Sequence, residues 1–376
     1  MSAFAIFLWI AIVLLVLWMA TRYLPPQFDH LHATFINIIA LVPLLWCPLA
    51  VVCALAAAKH LPAQAICAFV AMAVDVSFSM GYLVALPDTA NHILGMPEQS
   101  TTLSTAQRQK ALDSCTSLGS VANPDTTDST TGNTATDTAD STCITVMTIN
   151  TRYGRADASA IVHAVKQYSV DVLAVQEASA DLQQSLEQEG IGSELPHMTA
   201  GTPTDEDNGG FNILYSRTTP VATTSNAVDI DAASVPAQTL YVDGRNVTFA
   251  AVHTASPHRG AQRWAAGLQG IAQLGAPSGA GVQAPVVVMG DFNSNSDLPS
   301  FRAALKVGGF EDSSYELHSG THLSWPSSWG FAPAMLELDH VVHTEGVTAV
   351  DQRTLTIPRT DHKAQIVTLA VGIEGQ

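Results

Sequence analysis

Polar side chains suited to phosphate chemistry end a series of apolar, strand-like segments within residues 144–376 of this chain. Carboxylates near histidines can activate water, and amide side chains can hold a phosphoryl group or a nucleophile. Oxygen ligands of this kind suit Mg²⁺ or Mn²⁺, and also Ca²⁺, better than zinc. The residue types therefore indicate metal-assisted hydrolysis of a phosphoester. The candidate residues are Asn150, Glu177, His253, Asp291, Asn293, Asp339, Asp361 and His362.

Each of these residues also has a purely structural interpretation. Asp291 and Asn293 could form an Asx turn after a strand, and His253 could be a satisfied core histidine. His340, next to Asp339, is expected to be structural. Arg152 and Arg155 follow Asn150 and either meet substrate phosphate or lie in a solvated loop. One such residue would be unremarkable, but the whole series at strand ends is hard to explain by packing or solvation.

The segments that must position these residues alternate between strand-like and helix-like patterns. Strands are predicted at 144–150, 170–177, 212–216, 247–253, 285–293, 338–343 and 364–371, and helices at 157–169, 259–274 and 297–307. Mixed strands and helices favour sheets with helices packed outside them. About 230 residues are also enough for one well-buried domain.

Short motifs in a fixed order resemble the endonuclease/exonuclease/phosphatase superfamily over residues 144–371. QE at 176–177, GDFN at 290–293 and a late Thr-Asp-His at 360–362 carry the resemblance. Thr360 replaces the commoner Ser and keeps the hydroxyl. The remaining matches are TIN (148–150), GGFNILYSR (209–217), VHTASP (252–257), SWP (324–326) and LDHVV (338–342).

The resemblance implies an α/β fold, a two-sheet sandwich with its site at one sheet edge. It implies Mg²⁺ as cofactor, with Mn²⁺ as an alternative. Glu177 would be the main metal ligand, with Asn150 close by and Asp361 contributing. Asp291 would orient or deprotonate the attacking water, and Asn293 would hold the phosphoryl group. His362 would stabilise the transition state, and Asp339 would fix the tautomer of His362. His253 would be a second phosphate-side histidine.

The N-terminal part of the chain is almost free of charge. Residues 1–87 carry only Arg22, Asp29, Lys59 and Asp75, and three apolar stretches occupy 3–20, 34–58 and 63–86. About 20 apolar residues cross a bilayer, so an all-α bundle of three transmembrane helices is expected. The first stretch lacks a basic leader, which favours an uncleaved helix over a signal peptide. Asp75 is either functional at membrane depth or a carboxyl bonded to Ser77, Ser79 or Asn37.

Residues 88–143 are predicted to be a flexible stalk between the membrane helices and the domain at 144–376. Ser, Thr and Asp dominate the stretch 111–142, which cannot bury enough apolar surface to fold. Cys115 and Cys143 flank this stretch and suit one disulfide in an oxidising compartment, although two free thiols are the alternative. Stalk and cysteines favour a multi-pass protein of the cell membrane with an extracytoplasmic domain.

The charge balance narrows the substrate class. The chain has 16 Lys and Arg against 33 Asp and Glu, a formal net charge of −17. Strong binding to duplex nucleic acid needs a basic surface and is not expected. A tethered domain has lipids within reach, so a lipid pyrophosphate on a polyprenyl carrier is a candidate substrate. The alternatives are a surface nuclease, a sphingomyelinase-type phospholipase C, or a binding module on an inactive enzyme fold. The sequence leaves the oligomeric state open.

Overall fold

The computed structural model describes residues 2–94, 103, 105–117, 142–205, 207, 209–276, 284–330 and 332–372. Two mixed β-sheets with helices outside them form an α/β sandwich, and a helical region precedes the sandwich in the chain. The predicted fold class is confirmed at this level.

The helices divide between the helical region and the sandwich. The helical region contains α1 (Ala3–Ala20), α2 (Pro26–Asp29), α3 (Ala33–Ala40), α4 (Trp46–Ala58), α5 (Pro62–Ser77), α6 (Asp88–Leu94) and α7 (Thr105–Ser114). The helices of the sandwich are α8 (Ala158–Gln167), α9 (Ala180–Gln188), α10 (Ile191–Glu194), α11 (Ala261–Gly275), α12 (Pro299–Gly308) and α13 (Ser313–Leu317).

The two sheets stand face to face. The first sheet, in spatial order, consists of β12 (Val347–Thr356), β13 (Lys363–Val371), β2 (Thr142–Asn150), β3 (Val172–Ala178), β5 (Phe211–Ser216) and β4 (His197–Ala200), with β1 (Thr116–Ser117) paired to β2. The second consists of β10 (Glu311–Asp312), β11 (Asp339–His343), β9 (Val286–Asp291), β8 (Arg245–His253), β7 (Ala237–Val242) and β6 (Ala222–Thr224).

Alternation along the central strands builds three apolar layers. In β2, Ile144 and Val146 belong to the core between the sheets, whereas Met147 and Ile149 belong to the core under the outer helices of the first sheet. Successive side chains of a strand point to opposite faces, so a strand covered on both faces reads as a nearly continuous apolar run. The same reason explains the run of valines in β9.

All seven predicted strands and all three predicted helices are present, with ends shifted by a few residues. Strands β4, β6, β7 and β12 and helix α9 were not predicted. The strand β12 shows why, because its second half, from Asp351 to Thr356, is polar and mostly not buried. A strand at the edge of a sheet has little need of an apolar pattern.

The apolar stretches form fewer long helices than the sequence predicts. One helix, Ala3–Tyr23, is long and apolar enough to cross a membrane, and Ala33–Leu44 with Trp46–Ala58 forms a pair bent by 58°. Pro43 lies at the break, where its ring cannot supply a backbone N–H. The expected helix 63–86 ends at Ser77, which leaves Pro62–Ser77 as a shorter apolar helix.

Three of the four charged residues of 1–87 are buried. Arg22 pairs with Asp297 of the sandwich at 2.8 Å, and the Asp29 carboxylate accepts hydrogen bonds from Ser300. Asp75 accepts a 2.8 Å bond from the Trp46 backbone N–H, not from the side-chain partners expected for it. Lys59 alone is exposed. The helical region and the sandwich are therefore packed together through buried polar contacts.

Part of the predicted stalk is ordered. Helices α6 and α7 fall within 88–143, and the guanidinium of Arg108 on α7 is buried, donating to the carbonyls of Glu316 and Leu317. These bonds fix α7 against the sandwich despite its polar composition. Cys115 and Cys143 are joined by a disulfide, which resolves the alternative of two free thiols. Of the predicted stalk, residues 95–102, 104 and 118–141 lie outside the described part of the chain.

Gly290 allows the two central strands of the second sheet to approach closely. A Cβ at Gly290 would lie 1.9 Å from the Val252 carbonyl oxygen, and the φ of Gly290 is +153°. We expect Gly290→Ala to lower the free energy of unfolding by about 1–3 kcal/mol, because the strands must separate. Chemical denaturation measures the change. Gly192→Ala is the control, since a Cβ there meets no atom within 4 Å; equal stability of both variants would contradict the prediction.

The disulfide can be tested by counting thiols. Without reductant, we expect the denatured protein to alkylate at three of its five cysteines, Cys47, Cys53 and Cys67. After reduction all five should react, as read by intact mass. A Cys115→Ser variant should expose Cys143 without reductant. Five reactive thiols in the untreated native sequence would refute the bond.

Candidate active site

Alternation along the strands brings four of the predicted residues into the gap between the sheets. In β8 and β9 the residues two and four positions before the polar one belong to the inner core, and so does the residue two positions after Asp339 in β11. His253, Asp291 and Asp339 lie side by side in register, since Asp291 pairs with His253 on one side and with Asp339 on the other. Asn150 ends β2 on the inner face of the opposite sheet. The site therefore occupies one open end of the sandwich.

Glu177 reaches this site through a β-bulge. Val175 and Ala178 both belong to the core under the outer helices of the first sheet, although residues three positions apart on a regular strand point to opposite faces. The strand therefore contains one extra residue between them. Glu177 has a left-handed φ of +52°, which turns its side chain toward Asn150. Its Oε1 accepts a 3.0 Å hydrogen bond from Asn150 Nδ2, and its Oε2 a 2.8 Å bond from the Tyr153 N–H.

The buried carboxylate of Asp291 is the centre of the site. Its Oδ2 accepts a 2.9 Å hydrogen bond from Asn150 Nδ2, and its Oδ1 a 2.7 Å bond from the Asn293 N–H. The Nε2 atoms of His253 and His362 lie 3.5 Å and 3.8 Å from the same Oδ2. The Asp291 carboxylate and the Asn293 N–H thus form the Asx turn that the sequence allowed. This turn also places the side chain of Asn293 at the site.

The ring of His362 is oriented by Asp339. His362 Nδ1 lies 2.7 Å from Asp339 Oδ2, which leaves Nε2 directed at Asp291. Asp339 is fully buried, and the hydroxyl of Ser324 accepts hydrogen bonds from its N–H and from that of Leu338. Gln365 donates to the Asp339 carbonyl. Ser324 and Gln365 support the site without having been predicted.

The pKa values of the two site histidines are shifted in opposite directions. Burial alone would lower the pKa of His362, but the carboxylates of Asp339 and Asp291 outweigh it and raise this pKa to about 10. Burial lowers the pKa of His253, and Asp291 offsets this only in part. At neutral pH the site therefore pairs an imidazolium with a neutral imidazole. Burial also raises the pKa values of Glu177 and Asp291.

The donors around Glu177 fit a hard divalent cation. The carboxylates of Glu177 and Asp361 offer oxygens, and the negative charge of Asp361 further raises the pKa of buried Glu177, a repulsion that a cation would relieve. Asn150 directs its Nδ2 to Glu177 and accepts from the Arg152 N–H with its Oδ1, so its amide would have to rotate to offer an oxygen. A different group has potential ligand atoms within 4.8 Å of one another, namely those of Asp291, Asp339 and His362. Two of these atoms already bind each other, so the oxygen set at Glu177 fits a cation better.

The remaining predicted residues lie at the rim. Asp361 is partly exposed and lies 3.6 Å from Arg152, so this arginine faces the site. The Thr360 hydroxyl donates a 2.7 Å hydrogen bond to the Asn150 carbonyl. A serine hydroxyl at this position could donate the same bond. The guanidinium of Arg155 lies over the ring of Tyr153. All eight predicted residues thus meet at one end of the sandwich.

His340 is structural, as its position next to Asp339 suggested. Its Nδ1 lies 2.6 Å from Asp312 and its Nε2 2.9 Å from the Ser294 carbonyl, so both ring nitrogens are bonded. Burial lowers its pKa, but Asp312 outweighs burial and raises this pKa to about 9. The ring therefore fixes the turn after β9 through its contact with the Ser294 carbonyl.

Comparisons with known proteins give one family match and a set of similar solved structures. Residues 147–362 match the Endonuclease/Exonuclease/phosphatase family. Similar solved structures include humanized TDP2 of D. rerio (16% identity, TM-score 0.47, 60% of this chain and 98% of that chain). Others are a family protein from Leptotrichia buccalis (14%, 0.47, 60% and 99%) and a mannosyl-6-phosphatase from Bacteroides thetaiotaomicron (16%, 0.46, 60% and 99%). No curated protein matches the chain.

The family match covers more than half of the 376 residues and contains all eight predicted site residues. The chain therefore belongs to the endonuclease/exonuclease/phosphatase family.

Proposed function

We propose that this protein is a membrane-anchored, divalent-metal-dependent phosphoesterase that acts on a lipid-linked phosphate, such as a polyprenyl pyrophosphate, at the outer face of the membrane. The observation that carries the proposal is the contact between the helical region and the loops that follow β8 and β9. His253 ends β8 and Asn293 lies in the loop after β9, so these two loops border the site, and the helical region contacts both of them.

Surface composition supports the membrane part of the proposal. Large apolar side chains on α1, α4 and α5 are more than half exposed, including Phe7, Leu14, Val51, Ile66 and Phe69. An aqueous surface rarely carries an apolar area of this extent. Lipid would cover these side chains, whereas water would not.

Helix packing supports three crossings. Leu8 and Ile12 of α1 share a core with Val52 and Ala56 of α4 and with Ala68 of α5, so α1 is part of the bundle. The end of α1, the beginning of α3 and the end of α5 all lie on the side of the sandwich. Three spans, the second bent at Pro43, would place the sandwich at one membrane face. A cleaved signal peptide would not need these contacts.

The disulfide supports the outer face. Bonds of this kind persist in oxidising compartments and are rare in the cytosol. Cys115 and Cys143 connect α7 to the strand that carries Asn150, so the bond lies on the sandwich side of the helical region.

The site residues have complementary roles in hydrolysis. Asp291 would accept a proton from water, since its Oδ2 is the point on which the surrounding donors converge. His362, held protonated by Asp339, would donate to a phosphoryl oxygen. Asn293 would bind a second phosphoryl oxygen. Glu177 and Asp361, with Asn150 close by, would hold a divalent cation, which would neutralise charge on the phosphate.

The charge of the sandwich favours a lipid over a polynucleotide. Residues 144–376 hold 12 Lys and Arg against 24 Asp and Glu, so a long polyanion would be repelled. A single pyrophosphate needs only the local cation and the few donors of the site. Membrane tethering would in turn bring a lipid headgroup to the site at high local concentration.

The proposal is tested by phosphate release from a polyprenyl pyrophosphate by the full chain in detergent with Mg²⁺. We expect release that chelation by EDTA abolishes and that Mg²⁺ or Mn²⁺ restores. Asp291→Ala and His362→Ala should each lower the rate by at least about 100-fold, because each removes a group that acts on the reacting atoms.

Plasmid DNA and sphingomyelin are assayed in parallel. Nicking of DNA, or release of phosphocholine, without lipid pyrophosphate hydrolysis would replace the substrate and keep the site. Absence of hydrolysis in all three assays, with metal bound, would reject the enzymatic proposal in favour of a binding module.

The link between Asp339 and His362 has a separate test. Asp339→Asn keeps the size of the side chain but removes the charge that holds His362 protonated. We expect kcat to fall by about 100-fold or more with little change in KM, measured on the substrate identified above. Asp181→Asn, on the exposed side of α9, should retain full activity. Normal kcat in Asp339→Asn would exclude this role.

A further inference from the structure

The segment that follows the catalytic strand β9 is attached to the helical region along its whole length. Asn295 Nδ2 donates a 2.8 Å hydrogen bond to the Ala40 carbonyl, and Asp297 pairs with Arg22 at 2.8 Å. Ser300 donates from its N–H to Asp29 Oδ2 at 2.7 Å and from its hydroxyl to Asp29 Oδ1 at 2.6 Å. All of these side chains are buried. They begin two residues beyond Asn293.

Arg302 closes the same contact from the other end. Its guanidinium donates at 2.7 Å to the Ser296 carbonyl and at 2.6 Å to the Arg22 carbonyl. The Arg22 side chain is almost completely buried, stacked on Phe78 at 3.8 Å and bonded to the Leu94 carbonyl at 2.7 Å. One arginine of the helical region thus connects α1, α5 and α6 to the segment 295–302.

Helix α3 supports the neighbouring loop. Ile36, Ile39 and Ala40 belong to the same core as Ala255 and Ala261, which flank the loop after His253. Asn293 joins the two loops, because its Nδ2 donates a 3.1 Å bond to the Thr254 carbonyl. The helical region therefore contacts both loops between which Asn293 is held.

Asn293 needs this support because its backbone is in a left-handed conformation, with a φ of +47°. Asparagine adopts this conformation more readily than most residues with a side chain, but it still favours the right-handed region, so contacts with the surroundings help to hold it. From within the sandwich, Trp264 Nε1 donates to the Asn293 carbonyl at 3.1 Å. Beyond Asn293, the sandwich holds Ser294 through His340 and Trp264. The helical region holds Asn295, Asp297 and Ser300 through Ala40, Arg22 and Asp29.

We propose that Arg22 and Asp29 are positioning residues of the active site, and that the helical region completes the site by fixing the segment 293–300. The effect on catalysis rests on the proposed function, whereas the effect on the segment does not. A buried ion pair and a buried carboxylate bonded to a serine are a costly way to gain stability, since apolar side chains of equal size would often do as well. A fixed geometry of charged and polar groups explains their presence in an otherwise uncharged region.

The test of catalysis compares Arg22→Gln and Asp29→Asn with Lys59→Gln in the full chain, on bis(p-nitrophenyl) phosphate and on the polyprenyl pyrophosphate. Arg22→Gln and Lys59→Gln each replace one cation of the helical region by the same residue. We expect kcat to fall about 10- to 100-fold in the first two variants, with KM nearly unchanged, because Asn293 is displaced. Lys59→Gln should match the native protein.

A double-mutant cycle separates positioning from loss of stability. In an Asn293→Ala background, Arg22→Gln should lower kcat by less than about twofold further, because the group through which it acts is already gone. A loss of the same size in both backgrounds would mean that Arg22 only stabilises the fold, and would overturn the proposal.

Hydrogen exchange gives a readout that needs no activity. Amides of 293–300, including that of Ser300, should exchange at least about tenfold faster in Arg22→Gln and Asp29→Asn, while those of β2 and β3 keep their native rates. Unchanged exchange in this segment would overturn the proposal even if the native protein is active. Altered exchange in a chain that hydrolyses no phosphoester would retain the positioning and reject the proposed function.

Discussion

A carboxylate buried in the gap between two sheets must be compensated, and the structure around Asp291 is organised by this requirement. An isolated buried charge costs far more free energy than a folded domain has to spare. The compensating groups come from separate elements: the amide of Asn150 from the opposite sheet, the Asn293 N–H from the next turn, and two histidines from other strand ends. Only the closed sandwich brings them together, so forming the fold and forming the site are one event.

Much of this could be predicted from the sequence, because strand alternation and a fixed order of motifs are local signals. The central strands, the three long helices of the sandwich and all eight site residues were read from such patterns. Glu177 shows the limit of the method. Counting alternate positions along β3 would direct it outward, and only the bulge between Val175 and Ala178 directs it to Asn150. The polar second half of the edge strand β12 left no apolar pattern from which to predict it.

The docking of the helical region was beyond the sequence patterns for a different reason. The motif at 290–297 contains Asn295 and Asp297, but nothing local to the motif says that their partners lie more than 250 residues earlier in the chain. The signal present in the sequence was the small number of charged residues in this region. Four charged residues in 87 are few enough that each requires an explanation, and three of them proved to be bonded and buried. In apolar segments, an isolated charge is therefore a useful pointer to an interface.

The disulfide between Cys115 and Cys143 has a consequence for the release of the domain. The two cysteines are 28 residues apart, and the bond closes the chain between them into a loop. A protease that cuts once inside this loop leaves both fragments covalently joined, and the contacts of Arg22 and Asp29 hold them together as well. After such a cut, release of the sandwich from the helical region would therefore require reduction of the disulfide and loss of these buried contacts. One covalent bond and one set of buried polar contacts thus hold the sandwich to the helical region.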